Sequence, residues 1–208
     1  MSMTQNVWEE ISGINDLLVS LREQVAADSV DLVALRSGLR SHLDRLRAIV
    51  TGQYSERDAY FVLFPLTAHC DEIIKSLLLE MKHLQWPPLQ QELYQVNDAG
   101  DIFYELLDQL LSKPDTPQLI FAIYFFCLND GFRGRYVESG ERISSYVNKL
   151  REHIRLAPID APLPPVSPDI ADPPLKIPAY AFYGAAVFLL AVVYWLLEQM
   201  ADSWYPIN

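Results

Sequence analysis

Apolar residues recur at helical spacing through most of the chain. Trp8, Ile11, Leu18, Leu21 and Val25 predict a first helix over 4–25, and Leu32, Leu35, Leu39, Leu43 and Leu46 a second over 29–50, closed by Gly52. Ser55 reads as an N-cap with Asp58 as its capping-box partner, opening a long third helix over 56–82. Pro65 lies inside that helix. It removes one rung of the hydrogen-bond ladder and crowds the preceding turn, so a kink or break is expected near Phe61–Phe64. Trp86-Pro87-Pro88 is a corner, 89–94 a short helix, and 101–111 a helix with a wide apolar face that includes Phe103. Thr116-Pro117 reads as an N-cap and first helical position for 118–129. That segment is apolar on nearly every side, and it is expected to be the central buried helix. A last amphipathic helix covers 141–155. No stretch alternates with period two, so the prediction is an all-α domain over 1–156 with no sheet.

The pattern then changes. Eight of the fourteen prolines fall between residues 157 and 178, which excludes a helix and predicts a semi-extended linker over 157–176. Residues 177–197 contain no charge, with Lys176 before them and Glu198 after. As a helix this run rises about 31 Å, the thickness of a bilayer's hydrocarbon core. A single C-terminal transmembrane helix is therefore expected, with Tyr180, Tyr183, Tyr194 and Trp195 towards its ends as interfacial aromatics. Lys176 stands on the N-terminal side, and the tail 198–208 has no Lys or Arg. The positive-inside rule then places the helical domain in the cytoplasm and the tail outside. Gly184, Ala185 and Ala186 offer small residues for close helix approach, as in a homodimer.

A net charge of −11 argues against nucleic acid and against a broad electrostatic grip on anionic lipid. Cys70 and Cys127 lie in apolar helical stretches and read as buried, reduced small hydrophobes.

The clusters that could carry chemistry do not assemble into a reaction centre. His69, Cys70, Asp71 and Glu72 share one helical turn, and His83 follows Glu80 at a carboxylate–His metal spacing. A di-iron bundle needs that motif twice, and His69 and Cys70 point about 100° apart. No third group orients a Cys–His pair, so neither a metal site nor an enzyme is expected, and no cofactor. Asp71 and Glu72 are two adjacent acids on a core-forming helix. They read as exposed or paired, Asp71 with Lys75 at i+4 and Glu72 solvated, or else as a docking surface. The loop Gly131-Phe132-Arg133-Gly134-Arg135-Tyr136 lacks the spacing and the Lys-Ser/Thr of a phosphate loop. Its glycines suit backbone conformations without a Cβ, and Phe132 and Tyr136 are expected to turn inward. Arg135 is expected to be structural, bonding carbonyls at the end of helix 118–129, and Arg133 to be exposed towards an acidic partner.

Taken together, these residues resemble the DotU/TssL (IcmH/DotU) family of secretion-system membrane proteins. Cys127-Leu128-Asn129-Asp130-Gly131-Phe132-Arg133-Gly134-Arg135-Tyr136 is similar to the family's CL-x-x-GF-x-GRY segment, and Gly100-Asp101-Ile102-Phe103-Tyr104-Glu105-Leu106-Leu107 to its G-E-x-F-F-E-x-L helix. Asp71-Glu72 falls at the family's DE pair and Trp86 at its Trp; Ala99 replaces a second glycine. The resemblance implies about seven or eight helices in two small bundles with a groove between them, and a partner-binding role for Asp71 and Glu72. It implies a subunit of a type VI secretion membrane complex that joins TssM-like and TssJ-like subunits and recruits the baseplate proteins TssK and TssE. The DotU component of a type IVB system is the close alternative; a tail-anchored enzyme or receptor is the alternative of a different class. No peptidoglycan-binding domain is expected after the anchor.

Overall fold

The computed structural model describes residues 3–79, 81 and 84–155. The expected linker, membrane span and tail lie outside them, as do Glu80 and His83. Among the described residues there are seven α-helices, one short 3₁₀ turn and no strand: α1 Met3–Ala26, α2 Leu32–Thr51, α3 Glu56–Leu77, α4 Leu89–Tyr94, α5 Ala99–Leu111, α6 Gln118–Asn129, the 3₁₀ turn Gly134–Tyr136, and α7 Gly140–Arg155.

Local chemistry explains most boundaries. Asp31 starts α2 by accepting the amides of Val33 and Ala34. At α3 the capping box forms in both directions: the Ser55 hydroxyl accepts from Asp58 N–H, and the Asp58 carboxylate accepts from Ser55 N–H. α3 continues through Pro65 as one helix, so the proline does not break it, and it ends at Leu77 instead of reaching residue 82. Thr116 has a different part from the one its sequence suggests. Its hydroxyl donates to the carbonyls of Leu110 and Lys113, closing α5, while Pro117 takes the N-cap position of α6 without a side-chain acceptor.

α3 is the axis of the domain. Every residue from Phe61 to Asp71 is buried. α3 packs against α1 and α2, which pack on each other, and also against α4, α5 and α6, with α7 laid on α6. The two helical groups thus share α3 and one continuous apolar core. The most enclosed helix is therefore α3 and not α6, whose Phe125 and Phe126 are only half-buried. Phe103 is fully buried, its ring centroid 4.7 Å from Tyr124 and 4.3 Å from Phe132. A core of this size supplies the burial that a domain of this length needs.

Candidate docking site at the Asp71–Glu72 turn

One turn of α3, from His69 to Glu72, fastens three separate connections. His69 is almost fully buried and its Nε2 lies 2.8 Å from the Asp130 carboxylate, at the end of α6. Its Nδ1 has no partner among the described residues. Cys70 follows, enclosed in the core, where burial pushes its thiol far above the usual range; Cys127 shares that fate. Neither thiol is a reactive nucleophile. Among the described residues no three His, Cys, Asp or Glu side chains are grouped to hold a metal ion.

Asp71 is 1% exposed and cannot offer a face to a partner. Its Oδ1 accepts from Trp86 Nε1 at 2.7 Å and from Leu89 N–H at 2.9 Å, and its Oδ2 accepts from Gln90 N–H at 2.8 Å. The cause lies in the Trp86-Pro87-Pro88 corner. Pro88 is the N-cap of α4 and has no side-chain acceptor, so the first amides of that helix need one from elsewhere. Asp71 supplies it across the fold, with its charge at the positive end of the helix. The i+4 pairing of Asp71 with Lys75 is thereby replaced by three bonds to a remote segment. On the other side of the corner, Arg36 of α2 donates to Pro87 O at 2.7 Å, stands 5.1 Å over the Trp86 ring and pairs with Glu92. Arg40 pairs with the same Glu92, whose carboxyl the Arg36 bond holds below the usual range.

Glu72 is half-buried, and its carboxylate is engaged where solvation was expected. It accepts from Arg133 N–H at 2.7 Å and Gly134 N–H at 2.8 Å. Arg133 has right-handed helical backbone and Gly134 a φ of 51°. Consecutive residues of opposite hand turn both N–H groups to one side and form a nest for an anion. Here the anion is the protein's own Glu72. Gly134 is required twice over: for its φ, and because a Cβ there would stand 2.8 Å from Gly100 O. The two glycines of the sequence motifs therefore meet, backbone to backbone, at the start of α5 and of the 3₁₀ turn.

The rest of the loop is closed by its own backbone. Gly131 has a φ of 104°, and Phe132 N–H donates to Cys127 O at 2.9 Å, a Schellman-type closure of α6. Phe132 is buried against Phe103, and Tyr136 is half-buried. Neither arginine bonds the end of α6, since Phe132 N–H and the Asn129 side chain reach those carbonyls. Arg135 instead lies over Tyr136 and Tyr104, at 5.0 and 5.5 Å. The Arg133 side chain is exposed, and its carbonyl accepts the Tyr104 hydroxyl at 2.9 Å.

A second feature has no counterpart in the sequence pattern. A cleft of about 150 Å³ is lined by Asp44 and Arg47 of α2, Tyr60 of α3 and Tyr94 of α4. Burial pushes the Tyr94 phenol up to about 12, so it stays protonated at neutral pH. No local pattern marks these residues, because the three helices meet there only in the fold.

Carboxylates spent on backbone amides and loops closed by their own backbone define a helical scaffold. A family model described as type VI secretion system protein DotU matches residues 11–200, and the chain belongs to that family, one of structural inner-membrane components of type VI secretion systems. Among solved structures, DotU from Francisella novicida is 27% identical, with a TM-score of 0.60, covering 70% of this chain and 97% of that one. SciP/TssL of the type VI system of enteroaggregative Escherichia coli 042 has a TM-score of 0.56 over 78% of this chain and 95% of its own; at 18% identity it shows the shared fold alone. No curated protein matches the sequence.

Proposed function

We propose that the chain anchors the cytoplasmic baseplate of a type VI secretion system to the inner membrane. It joins TssM-like and TssJ-like subunits there and recruits TssK and TssE through its helical domain. The observation that carries this reading is the family match itself, which continues to residue 200 and so runs across the uncharged segment 177–197. That segment is the single span, with the helical domain inside and the tail outside.

Within the domain, the corner Trp86–Gln90 and the stretch Phe132-Arg133 are the docking loops. Asp71 and Glu72 act on docking through them, as positioning residues, and Arg133 is the side chain free to meet an acidic partner. Two measurements test this. A membrane-impermeant maleimide should label a Ser203→Cys variant in intact spheroplasts; the native thiols are buried and stay silent. Labelling only after the membrane is broken overturns the topology. Arg133→Glu should weaken co-purification of baseplate proteins while leaving the TssM-like subunit bound. Unchanged recovery of every partner removes Arg133 from the interface.

A further inference from the structure

The cations of this acidic chain are unevenly placed. Residues 131–155 hold six Lys and Arg against three Asp and Glu, a positive surplus inside a chain of net charge −11. Their pairing differs as well. The four arginines of α2, Arg36, Arg40, Arg45 and Arg47, each sit on a carboxylate. Among the described residues, Arg135, Arg142 and Lys149 have no carboxylate within ion-pairing reach.

All three rest on aromatic rings instead. Arg135 and Arg142 flank the Tyr136 ring at 5.0 and 5.5 Å, and Lys149 lies 5.3 Å over Tyr146. Arg142, Tyr146 and Lys149 follow each other at i, i+4 and i+7, so they share one stripe of α7. Asp108 of α5 accepts the Tyr146 hydroxyl at 2.9 Å, and Glu138 and Glu152 stand about one turn before Arg142 and after Lys149, leaving the segment its surplus of three positive charges. Beside the stripe, Val137 is 72% exposed. A ring beneath a cation holds it in place without neutralising it. The face is therefore preorganised positive charge, with tyrosines and one apolar side chain among the cations.

We propose that this face, formed by the 3₁₀ turn and α7, rests on the anionic headgroups of the bilayer that carries the chain. The inference rests on the anchor reading above. Guanidinium and ammonium groups bind phosphate well, and tyrosine is at home at headgroup depth. Each basic residue near an anionic leaflet is worth roughly fivefold in binding, so three act together. The tether makes such weak attraction sufficient: the uncharged run begins at Ile177, shortly after α7 ends at Arg155, and keeps the face at high local concentration of lipid. The negative surplus on the rest of the chain is repelled by the same leaflet. Attraction and repulsion then select one orientation, leaving the acidic surfaces towards the cytoplasm.

The test uses the full chain in nanodiscs. A donor dye is placed on Val137→Cys or, as reference, on Val33→Cys, which is similarly exposed on α2 among paired arginines; headgroup-labelled lipid is the acceptor. With phosphatidylglycerol in the disc, transfer from position 137 should be at least about twofold that from 33. The ratio should fall towards one in phosphatidylcholine discs, in high salt, and in the Arg135, Arg142, Lys149→Gln variant. The lipid and salt arms keep every cation of the face, so they hold even if the variant folds poorly. A chain that enters the discs but gives the same ratio in both lipids overturns this inference alone. A ratio that rises only when an acidic partner protein is added assigns the face to that partner and overturns it too. A chain that fails to enter the discs overturns the anchor reading and this inference with it.

Discussion

Replacing Asp71 with Ala removes the acceptor for three donors at once: Trp86 Nε1, Leu89 N–H and Gln90 N–H. Leu89 is fully buried and Gln90 nearly so, which denies both amides an easy route to water. A buried donor left unmatched costs about 1–3 kcal/mol, and a bond to a charged acceptor contributes at the upper part of that range. Partial relaxation lets the half-buried Trp86 recover a water, so the net loss should be about 3–5 kcal/mol, a large share of the 5–15 kcal/mol typical of a domain. Asp71→Asn is the informative partner. Trp86 and Leu89 share Oδ1, which an amide oxygen replaces, whereas Oδ2 becomes an N–H₂ facing the Gln90 N–H. One bond is lost and two donors are left opposed, for about 1–3 kcal/mol. The assay is urea unfolding of the full chain in mild detergent, followed by far-UV circular dichroism, with limited proteolysis to locate opening at the Trp86–Leu89 corner. An Ala variant within about 1 kcal/mol of the parent, or an Asn variant worse than Ala, would refute the capping role.

Gly134→Ala should lose about 2 kcal/mol or more, from the positive φ and from the clash with Gly100; a glycine-to-alanine melt with no shift would contradict the close approach. Phe103→Ala should cost about 3–5 kcal/mol, whereas Phe125→Ala, half-buried beneath Arg151, should cost less than about 2 kcal/mol; equal losses would show the core misplaced. Burial tends to raise the Glu10 carboxyl, but bonds from Arg45 and His42 more than offset this and hold it below its ordinary value. Its contribution to stability is therefore complete above the ordinary carboxylate pKa and is lost as pH falls through and below it. Unfolding curves across the acid range should show this slope reduced in Glu10→Gln; an unchanged slope would assign it to other groups.

What the sequence discloses, and what it withholds, follows from how far the determining partner lies along the chain. Ser55 and Asp58 satisfy each other within one turn, so the start of α3 is legible, and the apolar face around Phe103 announces its own burial. Thr116 misleads because its hydroxyl has two local uses, and only packing decides between closing α5 and opening α6. Asp71 misleads for a stronger reason. A carboxylate among buried neighbours must find donors, and these lie 15 to 19 residues away, beyond any helical period. A signal for it is present nonetheless. A helix that begins after Pro-Pro has no capping side chain, and an acid on a core-facing helix has no solvent; each deficit fits the other. The meeting of Gly100 and Gly134 leaves no such trace, since a missing side chain does not say what occupies its place.

The nest at Arg133–Gly134 and the cap at Leu89–Gln90 are held by consecutive residues of one helix, whose Cα atoms are separated by a single peptide unit. A small twist of α3 about its own axis therefore drags the corner and the turn together, like two spokes on a hub. A protein gripping both loops at once would sense the angular setting of that hub, and would resist its rotation in return.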